Sequence, residues 1–144
     1  LFRSSNIGAV LLLDLPASVR ECFIDVQHAL FDIGGEMAIP GASTVTEDYV
    51  TALETMLDAL NDDLPPLKEF ILPGGGPGTV ACHMARSVCR RAERSLVRLS
   101  HEEEVNELSR RYVNRLSDLL FVVARIVART ESGEVYWQPG RARA

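Results

Sequence analysis

The stretch from Val105 to Ile126, VNELSRRYVNRLSDLLFVVARI, decides the fold of this sequence. Apolar residues recur in it at intervals of three and four, which is the spacing of one face of an α-helix. They are Val105, Leu108, Tyr112, Leu116, Leu119, Val123 and Ile126. Counted from the predicted cap at Ser100 to Ile126, this pattern predicts an amphipathic helix of about seven turns.

Three further apolar stripes predict helices earlier in the chain. Two of them stop at helix-breaking pairs, Gly34-Gly35 and Pro65-Pro66, and the third begins at Pro77, a residue favoured in a first helical turn. Capping-box pairs, in which Ser or Thr precedes Glu by three residues, mark predicted starts at Ser18/Glu21, Thr44/Glu47 and Ser100/Glu103. We therefore predict an all-α, up-and-down bundle of four to five helices, ferritin-like in general shape, with residues 1–144 as one domain.

The two ends of the chain are less regular. Ile7 to Leu13 is typical of the end of one more helix. Glu134 to Trp137 either pairs as a short strand or lies on the bundle, and Gln138 onward resembles a frayed tail.

Composition excludes several classes of protein. Apolar residues make up 47% and charged residues 24% of the 144, which is typical of a globular protein and not of a disordered chain. The net charge of −5 argues against wholesale nucleic-acid binding, and no apolar run reaches the roughly 18 residues of a membrane span. Residues 79–99 nevertheless carry five Arg and one Glu, which indicates a local anion site.

The three cysteines, Cys22, Cys82 and Cys89, form no C-x-x-C pair, and each lies at an apolar helical position. We interpret them as reduced core thiols of a cytoplasmic protein. The three histidines have no ligand partners at helical spacing, so we predict no metal site, and no nucleophile motif is present.

Arg86, Arg90 and Arg94 lie at i, i+4 and i+8 and form one cationic ridge on the predicted helix. Each guanidinium presents a planar fork of donors that matches phosphate oxygens, so the ridge suits a polyphosphate. Alternatively, the ridge is a solvated face, or its arginines pair with carboxylates between helices or subunits.

Two weaker patterns accompany the ridge. Asn114, Asp118 and Phe121 share a face of the last helix, where the Asn amide could bind a ribose or phosphate, although an Arg115–Asp118 pair is an equally simple interpretation. The glycine-rich stretch at 73–79 precedes a helix and could admit an anion, but it lacks the Gly-Lys-Ser/Thr of a phosphate loop. Phe70, just before it, would by default pack in the core.

Three ordered segments together resemble one family. They read FILPGG at 70–75, CRRAER at 89–94 and YVNRLSDLLF at 112–121. In this order and at these intervals they strongly resemble the trimeric, all-helical ATP:cob(I)alamin adenosyltransferases. LFDIGGE at 30–36 and LPPL at 64–67 fit the same pattern, so the resemblance covers about residues 6–137.

The resemblance implies an enzyme that moves the 5′-deoxyadenosyl group of ATP onto the cobalt of cob(I)alamin and releases triphosphate. Cob(I)alamin attacks the ribose C5′, so the protein would position ATP, with its Mg²⁺, and stabilise charge on the leaving triphosphate. Such work is positioning and electrostatics rather than acid–base catalysis. The resemblance also implies a homotrimer with sites between subunits.

It further implies roles for single residues. The family's ATP-binding motif falls on Arg90, Arg91, Ala92, Glu93 and Arg94, with Arg90 on phosphate and Glu93 fixing the nucleotide or a neighbouring Arg. Asn114 falls on an ATP-contacting Asn. Arg86 falls on an Arg that pairs with an Asp of the adjacent subunit. Phe70 falls on the aromatic residue that displaces the lower axial base of cobalamin, leaving a four-coordinate Co(II) that is easier to reduce.

One departure from the family pattern concerns the start of the chain. Family members carry an upstream Thr/Gly/Asp-rich loop that wraps the triphosphate, whereas this sequence joins the pattern only near Asn6. We expect an N-terminal segment omitted from this chain to supply that loop and the Asp partner of Arg86. Two alternatives to the enzyme stay open: a non-catalytic helical scaffold, and a sensor that binds ATP or cobalamin without turnover.

Overall fold

A computed structural model of the protein describes residues 2–143, which form five α-helices. They are α1 (Phe2–Leu11), α2 (Ala17–Ala38), α3 (Glu47–Asp62), α4 (Pro77–Leu99) and α5 (Glu107–Thr130), followed by a 3₁₀ turn at Arg141–Arg143. The predicted all-α bundle is therefore confirmed. Leu1 and Ala144, the ends of the predicted domain, lie outside the described residues. None of the five helices is both long enough and apolar enough to span a membrane.

α5 lies at the centre of the bundle, where it packs against both α4 and α3. α1 packs against α2 and α4. Its apolar stripe faces inward as the spacing predicted, with Tyr112, Leu116, Leu119 and Val123 all almost fully buried. Burial of this stripe against two helices explains why residues 105–126 decide the fold.

The helix starts differ from the predicted capping boxes. α2, α3 and α5 begin after Pro16, Thr46 and Asn106 respectively, and Ser100 ends α4 instead of starting α5. Among these three starts, only Asn106 supplies a side-chain cap, by accepting a hydrogen bond of 3.0 Å from the Leu108 N–H. The capping-box predictions are therefore wrong at all three sites.

Gly34 and Gly35 do not end α2, which continues to Ala38. A helix tolerates glycine at a cost of about 1 kcal/mol each relative to alanine, and the next residue, Glu36, makes contacts that offset this cost. The chain turns only at Gly41, whose φ of +80° favours glycine.

Glu36 is buried and joins three parts of the bundle. Its Oε1 accepts hydrogen bonds from the backbone N–H of Thr44 at 2.6 Å and of Val45 at 2.8 Å, and from Asn106 Nδ2 at 3.1 Å. Its Oε2 accepts one from the Ser109 hydroxyl. These bonds fix the α2–α3 connection against the start of α5. Because the Thr44 N–H is bonded to Glu36, Thr44 lies in this connection and does not cap α3, which begins after Thr46.

Residues after α5 return to pair with the segment before α4. The Leu72 N–H donates to the Val135 carbonyl and the Trp137 N–H to the Phe70 carbonyl, both at 2.8 Å, around an antiparallel bridge between Ile71 and Tyr136. Of the two interpretations of residues 134–137, pairing is therefore the correct one. We call residues 131–137 the C-terminal strap and residues 63–76 the Phe70 loop.

Within the described residues the three cysteines form no disulfide, in agreement with the prediction of reduced thiols. Burial, with a smaller contribution from Asp25, raises the pKa of Cys22 to about 11. Burial and then Glu131 raise the pKa of Cys82 to about 12. Both thiols are therefore protonated at neutral pH and unreactive.

Candidate functional site

Arg90, Glu93 and Asn114 lie together in the groove between α4 and α5. Arg90 Nη1 lies 2.6 Å from Glu93 Oε2, and Asn114 Nδ2 donates to Glu93 Oε1 at 2.6 Å. Glu93 thus holds an arginine of its own helix and an asparagine of the neighbouring one. The Arg90 side chain is 45% exposed, so it keeps N–H donors available for an anion.

Cationic side chains of α5 surround this cluster. A cleft of about 220 Å³ is lined by Glu93 and Asn114 together with Arg110, Arg111 and Arg115. Arg115 bonds Glu54 of α3 at 3.0 Å and also makes the predicted pair with Asp118 at 3.2 Å. The interpretation of this face as an Arg115–Asp118 pair is therefore correct for Arg115. Asn114 instead contacts Glu93 of α4.

Phe70 lies at a second cavity, which meets α4 at Arg86, one turn before Arg90 and two turns before Glu93. This cavity has a volume of about 640 Å³, and its lining includes Phe70, His83, Arg86 and Phe121. The Arg86 guanidinium carbon lies 5.2 Å from the centre of the Phe121 ring, a cation–π arrangement. Phe70 is 78% exposed, so its default interpretation as a core residue is wrong.

His83 is a cavity residue that sequence reasoning missed. It is only 6% exposed, and its ring centre lies 6.3 Å from that of Phe121. Burial, and then the charge of Arg86, lower the pKa of His83, which favours the neutral imidazole. Its position three residues before Arg86 places it on the same face of α4, a helical spacing that predicts its presence at this cavity.

The Arg-Arg-Ala-Glu-Arg motif divides between different faces of α4. Arg90 and Glu93 face α5, as described above. Arg91 lies in a groove of about 640 Å³ that includes Phe31 and Met37 of α2, and Ala92 beneath it is only 3% exposed. Arg94 is exposed and makes no ion pair within the described residues. One bound molecule on the α5 side would therefore meet Arg90 and Glu93 but not the side chains of Arg91 and Ala92 of the same subunit.

The N-terminus of α4 is not open to an external anion, contrary to the possibility raised by its glycines. Glu131 accepts hydrogen bonds from the Gly78 N–H at 2.8 Å, the Thr79 N–H at 3.0 Å and the Thr79 hydroxyl at 2.7 Å. A Cβ on Gly78 would lie 2.8 Å from this carboxylate and from Val127, so glycine is required for the close approach. The chain's own carboxylate thus occupies the favourable end of the helix dipole.

Among the residues that the structure describes, no group of three or more His, Cys, Asp or Glu side chains could hold a metal ion. Mg²⁺ commonly binds through substrate phosphates and water with few protein ligands.

Sequence comparison matches residues 3–127 to the family described as cobalamin adenosyltransferase. The chain is 49% identical over 140 residues to the cobalamin adenosyltransferase of Cupriavidus metallidurans, an alignment that covers 96% of this chain and 76% of that protein. It is 40% identical over 150 residues to the corrinoid adenosyltransferase of Mycobacterium tuberculosis, covering 97% and 77% of the two chains.

Structure comparison agrees. Two solved variants of the PduO-type ATP:corrinoid adenosyltransferase from Lactobacillus reuteri each superimpose with a TM-score of 0.84. The variant complexed with cobalamin and ATP is 30% identical and is matched over 95% of this chain and 78% of that one. The variant complexed with ATP is 31% identical, over 94% and 81%. From the family match, the sequence identity and the shared fold, the chain belongs to the cobalamin adenosyltransferase family.

Proposed function

We propose that this protein transfers the 5′-deoxyadenosyl group of ATP to the cobalt of cob(I)alamin, giving adenosylcobalamin and triphosphate. One observation carries the assignment to these residues: on α4, Arg90 lies four residues and Glu93 seven residues from Arg86, which lines the cavity of Phe70. At about 1.5 Å per residue these separations are about 6 Å and about 10 Å along the helix, so one nucleotide can reach both sites. Family membership and the ATP and cobalamin complexes of the related structures support the same reaction.

In this reaction the cobalt electron pair attacks C5′ of the ribose, the C5′–O bond breaks, and its electrons leave with the triphosphate. Arg90 binds phosphate oxygens and stabilises that charge, because guanidinium forks hydrogen-bond phosphate in pairs. Glu93 orients Arg90, and Asn114 contacts the nucleotide from α5. Arg94 lies one turn beyond Arg90 on the same ridge and extends the cationic surface. Arg91, on another face of α4, contacts nucleotide only where another subunit brings it there.

Phe70 acts on the other substrate. Its ring is exposed at the cavity beside Arg86, so it can occupy the space below the corrin that the lower axial base would otherwise fill. Loss of that ligand removes electron donation to the cobalt, which favours reduction of Co(II) to the nucleophilic Co(I). We assign Phe70, Arg86 and Arg90 as the catalytic residues.

Mg²⁺ enters this proposal as the counter-ion of ATP. The described side chains provide no metal cluster, so we assign the ion no ligands here and no step of its own. Binding of ATP in excess EDTA compared with excess Mg²⁺ tests its contribution.

The active assembly is a homotrimer with sites between subunits. Support comes from an apolar surface between α2 and α4, where Phe31 is 62% exposed and Met37 is 37% exposed beside Arg91. Exposed apolar patches of this kind mark protein interfaces. Light scattering should give three times the subunit mass, and Phe31→Asp should reduce it. We place the enzyme in the cytoplasm, in keeping with cysteines that form no disulfide among the described residues.

The scaffold alternative relied on arginines of the ridge pairing between helices. The ion pair that the ridge makes within the described residues is Arg90–Glu93, which lies within α4. This favours a ligand-binding role for the ridge over a structural one.

An anaerobic absorbance assay with MgATP and chemically reduced cobalamin tests the function. Loss of the Co(I) band with growth of the adenosylcobalamin spectrum would establish the reaction. If the spectrum does not change, a melting temperature raised by ATP would identify the sensor, and no response to ATP would identify the scaffold.

A further inference from the structure

We propose that Trp137 is a positioning residue that fixes the Phe70 ring in its exposed place, so that Phe70 meets the corrinoid already oriented. This inference rests on the proposed function, but the contact between the two rings can be tested without turnover. The motifs in the sequence assigned no role to Trp137.

The Phe70 ring needs such support because its surroundings provide little. It lies in the Phe70 loop, which has no helix of its own, and only about a fifth of the residue is covered, being 78% exposed. An exposed aromatic side chain on a loop samples several rotamers, and that freedom is lost when a ligand binds. Orienting the ring beforehand lowers this entropic cost.

Trp137 is placed to provide the orientation. Phe70 and Trp137 stand opposite each other beside the Ile71–Tyr136 bridge, and the Trp137 N–H donates to the Phe70 carbonyl at 2.8 Å. Their rings meet edge to face, with centres 6.1 Å apart and planes at 70°. This is a favoured geometry for an aromatic pair, on the same face of a two-stranded pairing.

The C-terminal strap that carries Trp137 is itself held firmly. Glu134 pairs with Arg125 of α5 at 2.6 Å, and the two side chains are only 10% and 6% exposed. Arg125 also donates to the Pro65 carbonyl at 2.8 Å, inside the Phe70 loop. Glu131, at the other end of the strap, is bonded to the start of α4. Trp137 therefore links Phe70 to α5 through the strap, which is held by the Glu134–Arg125 pair.

Fluorescence tests the contact directly, because Trp137 is the only tryptophan of the chain. In the absence of cobalamin, Phe70→Ala should shift Trp137 emission to the red, since it exposes the indole to water. Leu12→Ala, which removes another exposed apolar side chain, should not. An unchanged emission maximum in Phe70→Ala would overturn the contact and with it the inference.

A cobalamin experiment tests the positioning role. Cob(II)alamin and MgATP are mixed anaerobically with each variant, and the four-coordinate fraction is measured by absorbance. Trp137→Ala should lower that fraction by about two- to tenfold, the range expected for loss of an aromatic pair. The KM for ATP should stay within about twofold, and Trp137→Phe should restore most of the fraction.

Val135→Ala is the matched control, because it shortens an apolar side chain of the same strap and keeps the backbone pairing. An equal effect of Val135→Ala, an unaltered fraction in Trp137→Ala, or a parallel rise in the KM for ATP would each overturn the role of the ring. If the unaltered protein forms no four-coordinate cobalamin, the proposed function fails instead, and the fluorescence result still decides whether the rings are in contact.

Discussion

The Oε1 atom of Glu131 lies 2.8 Å from the backbone nitrogen of Gly78, a residue 53 positions earlier in the chain. Together with the bonds to Thr79, this contact caps α4 with a carboxylate from beyond α5. Burial alone would raise the pKa of Glu131, but the hydrogen bonds from Thr79 and Gly78 outweigh it and lower the pKa.

Glu131→Gln should therefore destabilise the protein by about 1 kcal/mol at pH 7, the usual cost of losing a helix cap. The stabilisation belongs to the ionised carboxylate, so it is present above the unfolded pKa near 4.5 and is lost as the pH falls through the lower folded pKa. Urea unfolding at pH 7 and pH 3.5 measures this, and a difference that does not shrink at pH 3.5 would contradict it. Glu102→Gln, at an exposed turn, is the control.

Glu36→Ala should lower the free energy of unfolding by more, about 3 kcal/mol, because it leaves several buried donors without an acceptor. Burial raises the pKa of Glu36, yet the hydrogen bonds from Ser109, Val45, Thr44 and Asn106 together lower it. This contribution is also lost on acidification below about pH 4.5. Chemical denaturation measures the free energy of unfolding. As the control, Glu103→Ala should change that free energy by no more than about 0.5 kcal/mol.

Arg90→Ala should weaken ATP binding by about tenfold or more, since a hydrogen bond to a charged group contributes about 1.5–3 kcal/mol. The fold should survive, because Arg90 is exposed. Calorimetric titration with MgATP measures the affinity, and Arg98→Ala, two turns further along the same helix, should bind normally. A loss of helical circular dichroism in Arg90→Ala would instead favour the scaffold alternative.

Phe70→Ala should leave ATP affinity unchanged and slow adenosylation that starts from Co(II). The reason is that the lower axial base stays bound and keeps the cobalt harder to reduce. Rates from Co(II) and from chemically reduced Co(I) should be compared, with the larger defect expected from Co(II). A lower melting temperature as the sole effect would show that Phe70 serves packing after all.

Arg86→Ala should raise the pKa of His83, because it removes a positive charge that disfavours the imidazolium. The folded pKa of His83 is lowered, so stability is lost as the pH falls below the unfolded value of about 6.5. Arg86→Ala should lessen that loss. NMR titration of the imidazole follows the pKa, with Arg90→Ala as the control that leaves it unchanged.

The helices were predictable because their apolar residues repeat along each one, and burial follows that repeat. Their starts were not, because the groups that fix them lie elsewhere in the chain. Thr44 shows the difference: its local pattern favours a cap, but its amide is bonded to Glu36.

The candidate site was predictable in part for the same reason. Helical spacing placed Arg86 and Arg90 on one ridge and Asn114 on one face of α5, while the resemblance to a family assigned their roles. Spacing could not show that Glu93 joins Arg90 to Asn114, or that Glu131 fills the end of α4. Those are contacts between distant segments, and no periodicity within one helix encodes them.

The remote cap also sets an order of events during biosynthesis. Residues 131–137 leave the ribosome after all five helices, yet they complete the first turn of α4 and hold the Phe70 loop. A nascent chain halted at the end of α5 would carry the central helix and most of its core, but it would lack the backbone contacts that hold the Phe70 loop. The helices of the bundle can thus form before the Phe70 loop is held in place, because the contacts that hold it come from a segment synthesised after α5.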